Sequence, residues 1–165
     1  MTIHERTRNT GTSHAESTIA ATRPNAEPID ELGDASFVSV TPRAAFTAVT
    51  ASSGALVLDV RTNAEWCLVG VPDLNDVLFL QWVDVEGTPN ETFAEELRYW
   101  VHHDVPLFVL SRSGARRSLE AARVAMASGF TEVAVIADGF EGPLRADGRR
   151  GHAGWQADGL PWRQW

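Results

Sequence analysis

The chain has 165 residues, of which 44% are hydrophobic and 22% charged, a balance that builds one domain around a buried core and excludes disorder throughout. Its formal net charge is −8, and all fourteen cations are arginines without a basic stripe, so nucleic acid and anionic membranes are poor partners. No apolar run approaches the roughly 18 residues of a membrane span. The amino end carries no apolar stretch of a secretory signal. The single cysteine, Cys67, excludes an internal disulfide or a thiolate zinc cluster, which suits a reducing, cytoplasmic setting.

Residues 1–36 differ in kind from the rest. They are rich in Thr, Ala, Asn, Glu and Asp, and Ile3, Ile19, Ile29 and Leu32 are their only large aliphatics after Met1. Such a segment buries too little apolar surface to offset its ordering entropy. It is expected to be a disordered tail, with a docking peptide for a protein partner as the functional alternative.

From residue 37 to 165, strand and helix patterns alternate. Phe37 to Val40 is a short strand, and Thr41-Pro42 supplies an N-cap followed by proline at the first helical position. Phe46 and Val49 give that helix its buried side. Ala55 to Val60 is short, continuous and apolar, as a strand covered on both faces should be, and Val77 to Leu80 repeats the pattern. Thr88-Pro89-Asn90-Glu91 reads as a capping box, followed by Phe93, Leu97, Trp100 and Val101 on one helical face. Pro106 to Leu110 is the next buried strand. A helix then runs from Arg116 to Ser128, with Leu119, Ala122 and Met126 on one face and Gly129 as its stop. Glu132 to Ile136 is the last strong strand. The order predicts an α/β domain with a mainly parallel central sheet and helices on both faces. The Gly- and Arg-rich end carries Trp155, Trp162 and Trp165, expected to seal the core, with a partner-binding patch as the alternative.

The informative segment is LFVLSRSGARRS. A buried strand ends at Leu110, a short loop carries Ser111, Arg112, Ser113, Gly114 and Ala115, and a helix opens near Arg116. Such a loop aims N–H groups at a common centre, and the helix dipole adds positive potential. With Arg112 and Arg116 it reads as an anion-binding nest, against the alternative of an ordinary turn with solvated arginines. His102-His103 is not read as a metal site, because neighbouring helical residues face different directions.

Two motifs in this order resemble those of the rhodanese domain family, the sulfurtransferase superfamily. LVLDVRTNAEW is similar to its first signature through Asp59, Arg61, Glu65 and Trp66, and VLSRSGARRS to its active loop through Arg112, Ser113, Gly114 and Arg116. The resemblance spans 37–165 and implies the three-layer rhodanese-like fold. It also implies that Ser111 stands where the family has its catalytic cysteine, which carries sulfur as a persulfide. A serine hydroxyl cannot hold that persulfide. No His–carboxylate pair can be assigned to activate it. The family's glycine-histidine-isoleucine-proline-glycine appears as Val69-Gly70-Val71-Pro72-Asp73, and Asp138-Gly139 stands where many members have two glycines. Cys67 reads as a small packed hydrophobe rather than a substitute nucleophile. Asp59, Arg61 and Glu65 are given supporting roles, with Arg61 and Glu65 pairing locally.

Three functions remain open. One is a module without sulfurtransferase activity that keeps an anion-binding loop for a small sulfur-containing or other oxyanion and acts in binding or regulation. Another is a sulfurtransferase whose native cysteine Ser111 replaces. The last is a pseudophosphatase-like module, since Ser111 to Arg117 has the spacing of a cysteine, five residues and an arginine. No cofactor motif is present, and no metal ligand set is assigned.

Overall fold

A computed structural model describes residues 18–21, 27–29, 37–51 and 54–164. The described elements, in chain order, are α1 (Thr18–Ala21), β1 (Glu27–Ile29), β2 (Phe37–Val40), α2 (Pro42–Ala51), β3 (Leu56–Asp59), α3 (Asn63–Val69), β4 (Val71–Pro72), β5 (Val77–Phe79), α4 (Phe93–Trp100), β6 (Leu107–Leu110), α5 (Arg116–Ala127), β7 (Val133–Ile136) and β8 (Trp162–Arg163). Six strands form one sheet in the order β1-β2-β7-β6-β3-β5, and β4 pairs with β8 in a separate ribbon. All pairings in the large sheet are parallel except that of β1 with β2. This is the expected α/β architecture.

The continuous apolar strands have their cause in two cores, one on each face of the sheet. Leu58 on β3, Leu107 and Val109 on β6, and Val133 and Val135 on β7 join Phe93 and Leu97 of α4 and Leu119 and Ala122 of α5. The alternate residues Val57, Phe108, Leu110, Ala134 and Ile136 join Ala45, Ala48 and Val49 of α2, with Phe140, Trp155 and Leu160. Side chains alternate across a strand with period two, so a strand between two cores must be apolar at every position. Trp155 is wholly buried and its indole Nε1 donates to the carbonyl of Pro161 at 2.9 Å; the partly exposed Trp162 lies on β8. Trp165 lies outside the described residues.

Thr41 caps α2 as predicted, its Oγ1 accepting the N–H of Ala44 at 3.2 Å. Phe46 is half-buried, edge-on to Trp155, and Gly129 ends α5 at φ +102°. Three local expectations are corrected. Thr88 starts no helix: its N–H and that of Glu86 bond to Asp84 Oδ1, and Val83 bridges Pro89. The start of α4 is instead organised by Asn90, whose side-chain oxygen accepts the N–H and hydroxyl of Thr92. Trp100 and Met126 are exposed; beside Trp100 it is Val101, in extended conformation just past α4, that is buried with Leu97.

Most of the tail expected over 1–36 lies outside the described residues. Two described pieces of it are seated on the domain. Ile19 is buried in the core beside α2, and β1 extends the sheet edge through an antiparallel pairing of Pro28 with Val38.

Candidate functional site

The carboxyl ends of β3 and β6 lie side by side, with Asp59 in register with Leu110. The loops that follow them therefore meet, as ligand sites on parallel sheets commonly require. Ser111 leaves β6 with a side chain that is only 2% exposed. Its Oγ accepts the N–H of Gly114 at 3.2 Å and donates to Ser118 Oγ at 3.1 Å. Ser118 Oγ in turn donates to the carbonyl of Ala115 at 2.7 Å. A chain of hydroxyls thus closes the loop on the first turn of α5. The N–H groups of Ser113, Ala115, Arg116 and Arg117 find no acceptor among the described residues, as expected where a loop opens a helix.

The loop is held from below by backbone. The carbonyls of Ser111 and Arg112 accept the N–H groups of Phe140 and Glu141, each at 2.9 Å. At Gly114, φ is +68° and a Cβ would stand 2.5 Å from the nitrogen of Asp138; at Gly139, φ is +59° and a Cβ would stand 2.3 Å from the carbonyl oxygen of Ser111. Only glycine supplies both the positive φ and the close approach. Asp138, beside it, has φ +58°.

Asp59 and Arg61 are both fully buried. The Arg61 guanidinium reaches Asp59 at 2.7 Å and the carbonyl of Gly70 at 2.9 Å, and it lies 4.0 Å over the ring of Phe140. Since the amide of Phe140 holds Ser111, this ion pair supports the loop from the neighbouring strand end. The expected Arg61–Glu65 pair does not form. Asp59 engages Arg61, and Glu65 closes a capping box with Thr62 at the start of α3. Its carboxylate also takes both terminal nitrogens of Arg117 at 2.7 and 2.8 Å. Burial pushes the Glu65 carboxyl up, but the bonds from Arg117 and Thr62 outweigh it and leave its pKa at about 2. The same carboxylate raises the pKa of Arg117.

The arginines expected to converge on the loop do not. Arg112 Nε bonds to Glu141 at 2.7 Å, and Arg116 is largely exposed and turned along α5 to Glu120, also at 2.7 Å. Each arginine of the loop and first turn is thus matched by a glutamate. Local sequence spacing could have suggested Glu120, four residues from Arg116; it gave no sign of Glu141 or of the Glu65–Arg117 contact across 52 positions. Ser118, one helical turn into α5, was also missed.

Two clefts flank the loop. One, of about 450 Å³, is lined by Thr62, Glu65, Asp84, Arg112 and Arg117 among others; the second, of about 490 Å³, includes Trp82, Pro89, Arg116, Glu120 and Arg123. No histidine lines either cleft or contacts Ser111 among the described residues. Cys67 is exposed on α3, its Sγ near Asn63 Oδ1 at 3.6 Å, so it is not the packed hydrophobe its neighbours suggest. Among the described residues, no helix is long and apolar enough to cross a membrane.

No model of a known protein family matches the chain. A curated protein of Rickettsia conorii, uncharacterized protein RC0915, is 33% identical over 124 residues, covering 72% of this chain and 91% of its own. The crystal structure of Rv0390 from M. tuberculosis is 44% identical with a TM-score of 0.72 and covers 77% of this chain and 97% of that one. The polysulfide-sulfur transferase of Wolinella succinogenes shares the fold at 19% identity and TM-score 0.56, over 78% of this chain and 80% of its own. The rhodanese-like domain of the Anabaena Alr3790 protein does so at 14% identity and TM-score 0.51, over 77% and 79%. The chain thus belongs with RC0915 and Rv0390, and its parallel sheet and the loop that follows its central strand are those of the rhodanese-like fold.

Proposed function

We propose that the protein is a rhodanese-like module that does not transfer sulfur and that binds a small sulfur-containing or other oxyanion weakly at the loop from Ser111 to Arg116. The observation that carries this reading is the Ser111 hydroxyl, buried at the centre of the loop between the Gly114 N–H and Ser118. Sulfane transfer needs a thiolate at that point to form and hold the persulfide, and oxygen there supplies none. The open N–H groups at the head of α5 support anion binding. Its weakness follows from the charges, because Glu141, Glu120 and Glu65 already occupy Arg112, Arg116 and Arg117. Occupancy of the loop is a means of binding or regulation rather than of turnover.

A titration of thiosulfate against the protein, followed by amide chemical shifts, tests this. Shifts should concentrate at Ser113 to Arg117, saturate only at high ligand, and shrink with added salt. Uniform or absent shifts in that segment would remove the anion-binding claim.

A second reading, a sulfurtransferase in which Ser111 replaces a native cysteine, is favoured by the same geometry. The Gly114 N–H that bonds to the Ser111 oxygen would also stabilise a thiolate there, joined by the Ser118 hydroxyl once it turns from the Ala115 carbonyl, and the Wolinella protein of this fold is a polysulfide-sulfur transferase. The pseudophosphatase reading has less support, because the arginine with the required spacing, Arg117, is engaged in both terminal nitrogens by Glu65.

A further inference from the structure

At the opposite end of β6 from Ser111, the segment between α4 and β6 carries His102, His103 and Asp104. The sequence places the two imidazoles on one helix, facing apart; the structure ends α4 at Trp100 and puts them in the turn beyond it. Their ring centroids lie 4.2 Å apart, with the ring planes tilted by 35°. His102 Nδ1 lies 3.3 Å from one Asp104 carboxylate oxygen, and His103 Nε2 lies 3.1 Å from the other.

We propose that these three side chains form a binding site for a first-row divalent transition cation, with zinc as the reference ion. All three donor atoms fall within 4.8 Å of one another. A tetrahedral zinc with ligand bonds of about 2.0–2.1 Å needs its donors about 3.3 Å apart; each imidazole nitrogen is already that near one of the two Asp104 oxygens, and rotation of the carboxylate brings one oxygen between them. Two imidazoles and one carboxylate form a donor set suited to zinc, copper or nickel rather than to magnesium or calcium, which favour all-oxygen sites. Three protein ligands leave a coordination position for water or an outside donor.

The turn is also fixed by its backbone. The carbonyl of His102 accepts the N–H of Val105 at 3.0 Å, and that of His103 accepts the N–H of Thr131 at 3.4 Å. Bringing the donors together therefore asks little beyond side-chain rotation. The side chains are mostly exposed, at 68%, 55% and 70% for His102, His103 and Asp104. A cation can enter without opening the fold, and substitution of these residues leaves both cores untouched. The site lies apart from the Ser111 loop, and its test stands or falls separately from the anion-binding proposal.

The experiment is a calorimetric titration of zinc chloride into the full-length chain without an affinity tag, with circular dichroism to confirm that each variant is folded. One equivalent of zinc should bind. The double substitution His102→Ala/His103→Ala should abolish that binding. Asp104→Asn should weaken it by at least about tenfold, the lower end of what loss of even an outer-shell partner costs. Removing the other three histidines, in His4→Ala/His14→Ala/His152→Ala, should leave it unchanged. A wild-type chain that binds no zinc, or a folded double variant that binds as the wild type does, would overturn the proposal.

Discussion

On the proposed function, the loop after β6 and the helix α3 divide between them what sulfur transfer needs in one place. The loop has the setting: a central strand end, a closed chain of hydrogen bonds, open N–H groups and a helix start. It has no thiol. Helix α3 has the thiol, Cys67, but holds it exposed, with only Asn63 within hydrogen-bonding distance among the described residues. Reactivity of a cysteine comes from a field that favours the thiolate, and a field is made by surrounding groups. A thiol placed outside it is therefore no substitute for one within it.

The loop is most sensitive at its backbone. Gly114→Ala places a Cβ against the nitrogen of Asp138 in a conformation with φ +68°, combining left-handed strain with overpacking. We expect a loss of about 3 kcal/mol in denaturant unfolding and disappearance of the thiosulfate-induced shifts. A variant as stable as the wild type would show that the loop and the 138–140 turn are not locked together.

The next effect is electrostatic and depends on pH. Glu65 titrates at about 2, against an ordinary value of 4.5. A depressed folded-state pKa contributes stability that is fully present above about pH 4.5 and is lost as pH falls through about 2. Glu65→Gln should accordingly cost about 2 kcal/mol at neutral pH, less than the full shift implies because the pair is partly solvated. The gap between variant and wild type should narrow as the pH approaches 2. A gap independent of pH would show that the carboxylate charge, which both Arg117 and Thr62 stabilise, is not the source of the cost.

Smallest is the effect of removing the thiol from α3. Cys67→Ala alters an exposed side chain away from both cores and should change stability by no more than about 0.5 kcal/mol. A large loss would mean that Cys67 packs against a neighbour.

The architecture was legible because burial on two faces leaves its mark at every strand position, as in Leu107 to Leu110 and Val133 to Ile136. The loop's place was legible for the same reason: its small residues interrupt an apolar strand just before a helix. The partners of its charges were not. Glu65 meets Arg117, and Arg112 meets Glu141, only because β3, β6 and β7 align their carboxyl ends; no local period encodes that. The exposure of Trp100 has no local sign: it stands on the predicted apolar face at the last residue of α4, and Val101, one residue on, is the buried one. Pairing of β1 against β2 was hidden because one apolar residue in Glu27–Ile29 leaves its edge-strand role to backbone hydrogen bonds.

On the proposed function, the loop after β6 is a cradle that lacks only its nucleophile. The most direct measurement is sulfur transfer from thiosulfate to cyanide by the wild-type chain, by Ser111→Cys, and by each combined with Cys67→Ala. The wild type should show background rates and Ser111→Cys measurable turnover, with no change in either when Cys67 is removed. Turnover by the wild-type chain that Cys67→Ala abolishes would contradict the proposed function, as would a folded Ser111→Cys protein that remains inert.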